Sequence, residues 1–88
     1  MTYTIVIDEK ALAQLAKLPQ KIRRQIANKI DKLASNPRPP GSTVLQQNKS
    51  LCRIRSGDYR IVYQIREKQV LVLVARIGHR KEVYKRLR

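Results

Sequence analysis

Chemistry in this chain has few side chains to run on: one histidine, one cysteine, four tyrosines, six carboxylates and twenty lysines and arginines in 88 residues. The carboxylates, Asp8, Glu9, Asp31, Asp58, Glu67 and Glu82, are scattered, and apart from Asp8-Glu9 none lies within four residues of another. A two-metal nuclease needs acids that converge on its ions, and a zinc site needs several Cys or His at ligand spacing. No Gly-rich phosphate loop can be built from the three glycines present. Cys52, lodged between Leu51 and Arg53, reads as a small packed side chain and has no partner for an internal disulfide. No metal and no cofactor is therefore expected, and any catalysis must use cations, His, Tyr and groups of the substrate.

That restriction points to RNA, whose 2′-OH can attack the adjacent phosphorus without a metal if protons are moved and charge is stabilised. The reaction needs an acceptor for the 2′-OH proton, Arg or Lys against the charge developing on phosphorus, and a donor for the leaving 5′ oxygen. Arg53, Arg60, His79, Arg80 and Tyr84 include these types. Each also has an ordinary explanation. Alternating Arg is what a solvated antiparallel face carries, and spacing alone favours that explanation for Arg53 and Arg60. A surface His titrates near neutral pH but more often has no catalytic duty. Tyr84 can stack on a base or handle a proton, or simply anchor the C-terminal residues.

The formal charge is +14, and self-repulsion of that size destabilises a compact state unless a polyanion offsets it. Residues 1–36 hold seven basic and three acidic residues, whereas residues 37–88 hold thirteen and three, so the excess lies in the second half. Nucleic acid is the expected partner class and acidic protein the second. The first ten residues contain Asp8 and Glu9 rather than a basic start and an apolar run, and no apolar stretch is long enough to span a bilayer. The expected setting is the cytoplasm, with no membrane partner.

The elements that must hold these groups follow from periodicity. Thr2 to Ile7 is β-branched and aromatic, which predicts a strand. Asp8 is placed to cap a short helix with Leu12, Leu15 and Ala16 on its apolar side, ended by Pro19. Pro19 suits the first turn of a second helix, where Ile22, Ile26, Ile30 and Leu33 form one apolar stripe before Ser35-Asn36-Pro37. Pro39-Pro40-Gly41 opens an irregular connection through about Lys49. From Leu51 the period becomes two: Cys52 and Ile54 oppose Leu51, Arg53 and Arg55, and after the Ser56-Gly57-Asp58 turn Tyr59, Ile61, Tyr63 and Ile65 oppose Arg60, Val62 and Gln64. A turn near Glu67-Lys68 leads to Val70 to Ala75, apolar on both faces and so predicted as a central, doubly covered strand. The expectation is one α+β domain over residues 1–88: an N-terminal strand, a two-helix hairpin and a three-stranded antiparallel meander, with the helices on one sheet face and the other face open and basic.

Two runs carry a family resemblance: Cys52-Arg-Ile-Arg-Ser-Gly-Asp-Tyr-Arg-Ile-Val-Tyr-Gln-Ile65, and Val72-Leu-Val-Ala-Arg-Ile-Gly-His-Arg80 followed by Glu82-Val-Tyr84. Together they resemble the RelE/ParE toxin superfamily, and the order of elements agrees along the chain. The RelE branch implies a microbial-ribonuclease-like fold and an endoribonuclease that cuts mRNA, commonly in the ribosomal A site, and is held inactive by a cognate antitoxin. The resemblance further implies that Arg53 binds phosphate or assists the base, that Arg60 binds phosphate, that Arg80 stabilises charge or helps protonate the leaving group, and that Tyr84 orients the substrate. His79 stands where some relatives have Lys. A further family lysine falls at Leu51, so that either Lys49 reaches in, or the base is weaker, or His79 supplies it. Lys49, Arg55, Arg76, Lys81 and Lys85 are the additional cations expected to hold RNA.

Two other functions share these features. The ParE branch has the same fold but poisons DNA gyrase and generally lacks the full set of cations and tyrosine, and a basic module can bind RNA without cutting it. The presence of Arg53, Arg60, Arg80 and Tyr84 together ranks the ribonuclease first. Its expected partners are mRNA, the ribosome and an antitoxin whose acidic segment counters the charge.

Overall fold

The computed structural model describes residues 2–45 and 48–79, with the side chains of 48 and 49 outside that description. Strand β1 (Thr4–Ile7) leads into helices α1 (Glu9–Ala16) and α2 (Gln20–Leu33), followed by strands β2 (Thr43–Leu45), β3 (Asn48–Ser56), β4 (Tyr59–Arg66) and β5 (Leu71–His79), with a 3₁₀ turn at Glu67–Gln69. The five strands form one sheet in the order β1-β5-β4-β3-β2. The α+β architecture is as expected, and the β3-β4-β5 meander is antiparallel. β1 pairs with β5 in parallel, through Ile5 opposite Val72 and Ile7 opposite Val74.

Asp8 caps α1 as expected: its side chain accepts from the Lys10 N–H at 3.2 Å. With the cap there, the buried face of α1 is Ala11 and Leu15, backed by the half-buried Leu18. Leu12, expected on that face, is 53% exposed. In α2 the expected stripe is the buried one: Ile26, Ile30 and Leu33 are buried and Ile22 packs beside them. Pro19 sits one position earlier than expected, as the N-cap residue, and its carbonyl accepts from the Arg23 N–H.

Cys52, Ile54, Ile61, Tyr63, Ile65, Val72, Val74 and Ile77 form the sheet's contribution to the core beneath both helices. The irregular connection is shorter than predicted, because β3 begins at Asn48 and Thr43–Leu45 forms an edge strand against it. Three residues are too few to show a period of two. β5 is interior to the sheet, and among the described residues no helix covers its opposite face, where Leu71 and Leu73 are half-buried and Val62 of the neighbouring β4 is fully buried.

The turn into β5 is strained. Val70 closes it with φ 50 and ψ 52, a left-handed conformation costly to a β-branched side chain. Replacing Val70 with Gly removes that clash and is expected to stabilise the domain by about 1 kcal/mol, a rise of several degrees in Tm. A fall in Tm on thermal melting would show that packing of the valine outweighs the strain.

At the same end of the sheet, Glu67 ties three elements together. Its Oε2 accepts from the Tyr3 hydroxyl at 2.7 Å, and its Oε1 from Arg38 Nη1 at 2.7 Å. The Tyr3 hydrogen bond, and then that of Arg38, holds the Glu67 carboxyl below the usual range. A depressed carboxyl contributes stability that is complete above its unfolded value, about 4.3, and disappears as pH falls through the lower folded value. Glu67→Gln is accordingly expected to melt below wild type at neutral pH, with the gap closing on acidification. A gap independent of pH would assign the loss to packing instead.

Candidate functional site

The alternation of β3 and β4 gives the face away from the helices to Arg53, Arg55 and Arg60. Arg55 lies directly opposite Arg60, and Arg53 lies opposite Val62, two residues along from Arg55. Directly paired side chains start about 5 Å apart and diagonal ones about 7–8 Å, so the three guanidinium groups can reach a common anion. Like charges placed opposite each other destabilise a sheet, a cost that a bound anion reverses. Arg60 is half-buried and its Nε is shielded from solvent, whereas Arg55 is exposed. On its other side Arg60 pairs with Gly78, which has no side chain to crowd the face.

A bulge in β5 sets this arrangement. Val62 pairs with Arg76 and Tyr63 with Val74, leaving Ala75 as an extra residue. The alternation therefore changes phase: Val72, Val74 and then Ile77 enter the core, while Arg76 and Gly78 fall on the open face. Gln14 holds the re-phased segment, since its Oε1 accepts from the Ile77 N–H at 2.9 Å. Gln14 was not among the residues singled out from sequence, although a polar side chain between Ala11 and Leu18 on the buried side of α1 is a visible signal.

The same phase change carries His79 elsewhere. It pairs with Tyr59, their rings edge to face with centroids 5.9 Å apart. With Gln14, Lys17 and Leu18 these rings line a cleft of about 460 Å³ beside α1. The structure thus does not bring His79 together with Arg53 and Arg60. Arg76 lies on the open face but turns to the chain's own acceptors, donating to the Ala75 carbonyl at 2.7 Å and standing 4.0 Å from the Asp8 carboxylate. Arg80, Lys81, Tyr84 and Lys85 lie outside the described residues, as does the side chain of Lys49.

The other titratable groups inside the fold are structural. Tyr63 is pushed up to about 12, chiefly by burial, and its hydroxyl donates to the Pro37 carbonyl at 2.7 Å, pinning the chain where it leaves α2. Burial also raises the Cys52 thiol, which disfavours the reactive thiolate. Among the described residues no three His, Cys, Asp or Glu side chains converge, and no helix is long and apolar enough to cross a membrane.

Residues 5–84 match the family described as the ParE toxin of the type II toxin–antitoxin system parDE. The chain belongs to the RelE/ParE toxin superfamily. Within the superfamily its relatives place it in the RelE-like branch. The mRNA interferase toxin RelE of Escherichia coli is 32% identical over 87 residues, covering 96% of this chain and 92% of that protein. A mutant of the E. coli toxin RelE, solved in the free state, superposes with a TM-score of 0.81 at 32% identity, over 97% of this chain and 93% of that one. The archaeal RelE–RelB complex from Pyrococcus horikoshii gives a TM-score of 0.82 at 26% identity, over 93% of this chain and 99% of the matched one. This member of the superfamily is thus a type II toxin with the RelE fold and the open-face cations Arg53, Arg55 and Arg60.

Proposed function

We propose that the chain is an endoribonuclease, an mRNA interferase that cuts mRNA on the ribosome, without a metal and by attack of the 2′-OH on the adjacent phosphodiester. The observation that carries this reading is the pairing of Arg55 with Arg60, with Arg53 beside them, on a face the helices leave open. Arg60 and Arg53 bind the scissile phosphate and stabilise the charge that grows on its oxygens. Lys49 is one candidate for the base. Arg80 and Tyr84 take the roles the resemblance gives them, charge stabilisation at the leaving group and orientation of the substrate. Lys81 and Lys85 add cations along the RNA backbone.

His79 faces Tyr59 rather than the arginines, so a direct part in proton transfer is disfavoured in this arrangement. His79→Ala is expected to leave the shape of the pH–rate profile nearly unchanged; loss of one limb of the profile would return the residue to the acid–base role.

The names of the relatives include RelE–RelB complexes, which supports a cognate antitoxin for this chain too. An acidic segment that folds on binding answers a charge of +14. The cytoplasm is the compartment where mRNA, ribosome and antitoxin meet. The test is end-group analysis of RNA cut by the purified toxin in excess EDTA, in a ribosome-free assay or a trapped complex because ribosomes need their own magnesium. Cleavage that continues and leaves 5′-OH ends with a 2′,3′-cyclic phosphate or its opened product is expected. Ends bearing 5′-phosphate would mean that water is the nucleophile, and the mechanism would fail.

A further inference from the structure

One stripe of α2 faces the turn that joins β3 and β4. Gln25, Asn28, Lys29 and Lys32 follow at helical spacing along it, and with Arg55 and the Ser56-Gly57 turn they line a groove of about 450 Å³. Among the described residues no carboxylate lines this groove. Among the described residues none of its three cations is in an ion pair. The groove therefore gathers positive charge that the described protein does not itself neutralise.

Arg55 links this groove to the open face. Its side chain stands opposite Arg60 on the open face, two residues from Arg53, while the residue also borders the groove beside Lys29 and Lys32. Past Thr43, opposite Arg53, no described strand pairs with the β3 edge, and Pro39, Pro40 and Gly41 stand beside Ile54 and Arg55 there. A chain of phosphates can pass from Arg60 around this edge without crossing a strand.

We propose that the groove between α2 and the β3–β4 turn binds the phosphodiester backbone of single-stranded RNA flanking the scissile bond, through Lys29, Lys32 and Arg55. The identity of the nucleic acid rests on the ribonuclease reading. A helical protein segment is the poorer fit, because such partners anchor through apolar side chains and no large apolar side chain is among the described residues that line the groove. Backbone binding needs cations and amide groups, which Gln25 and Asn28 supply between the lysines.

The experiment measures binding of RNA that carries a single 2′-deoxy at the scissile nucleotide, so that cleavage does not interfere. An oligonucleotide of about a dozen nucleotides, long enough to leave the scissile site, is compared with a trinucleotide measured by competition. Lys29→Gln/Lys32→Gln is expected to weaken the longer RNA by on the order of 10-fold at about 0.1 M salt, and to lower the slope of log affinity against log salt by about 1.4, or 0.7 for each phosphate no longer neutralised. Trinucleotide affinity should be unaffected. Lys10→Gln/Lys68→Gln removes the same charge elsewhere on the surface and should change the slope by less, which separates a local track from the general field. Glutamine is well tolerated in exposed helix, and melting curves confirm that both variants fold.

An unchanged salt slope for the longer RNA in the Lys29/Lys32 variant overturns the proposal. So does intact RNA binding combined with lost binding of an acidic antitoxin, which would make the groove a protein site. If the wild type binds the longer RNA with the expected slope but cuts all-ribose RNA neither free nor on the ribosome, the groove stands and the ribonuclease reading falls.

Discussion

Arg60→Ala is expected to slow RNA cleavage by on the order of 10²-fold or more, the loss that follows removal of one preorganised donor aimed at transition-state charge. Three features of the structure make Arg60 the residue to test. It is half-buried with its Nε shielded, so its orientation is constrained before substrate arrives. It pairs with Arg55 on one side, which gives a phosphate a second cation, and with Gly78 on the other, which adds no side chain. It also stands on the face that the helices leave uncovered. The variant should still fold, because the substitution leaves Ile61 and Tyr63 in the core beneath the helices. Arg60→Lys should recover only part of the rate, since an ammonium lacks the planar fork that grips two phosphate oxygens. Arg80→Ala is expected to lose a similar factor if Arg80 carries the role the resemblance implies. Should both alanine variants fold and keep full toxicity in cells, with double-strand breaks in DNA in place of cleaved mRNA, the gyrase-directed alternative would replace the ribonuclease.

How much of this was legible in the sequence depends on whether a residue's face follows from local spacing. On β3 it does: Cys52 and Ile54 enter the core while Arg53 and Arg55 oppose them, as a period of two requires. The α2 stripe is equally direct. In β5, simple alternation fails because Ala75 is bulged, and a bulge is a property of the pairing with β4 rather than of the run Val74-Ala-Arg-Ile77 itself. That single insertion moves His79 to the side of Tyr59 and α1, so the side chain of a residue adjacent in sequence to Arg80 lies on the opposite face of the sheet from that of Arg60. The exposure of Leu12 has a similar origin, since the position of the Asp8 cap and the packing of α1 on β5 select Ala11 and Leu15. The Glu67 clasp and the α2 groove were invisible for another reason. Both join residues far apart in the chain whose types, taken singly, are those of any solvated surface.

A single 2′-deoxy substitution at the scissile nucleotide is expected to abolish cutting at that bond while leaving affinity nearly intact. The expectation follows from who supplies the nucleophile. If the 2′-oxygen attacks, deleting it removes the reacting atom, and no arrangement of Arg53, Arg60 or Tyr84 can compensate. The cations on the open face hold phosphate rather than sugar, so binding and its salt dependence should change little. A hydrolytic enzyme behaves differently: water attacks phosphorus whether or not the 2′-OH is present, and the deoxy substrate is cut with at most a modest loss. The substitution also separates cleavage from simple binding, because an RNA-binding module without catalysis treats both substrates alike and cuts neither. Measured as single-turnover cleavage of matched oligonucleotides, with affinity taken from the same samples, retained cutting of the deoxy substrate would falsify the 2′-OH mechanism even if Arg60 proved essential. Retained binding with cleavage lost only at the substituted bond, and normal cutting at an unsubstituted site in the same strand, would assign the nucleophile to the substrate and the stabilising charge to the protein.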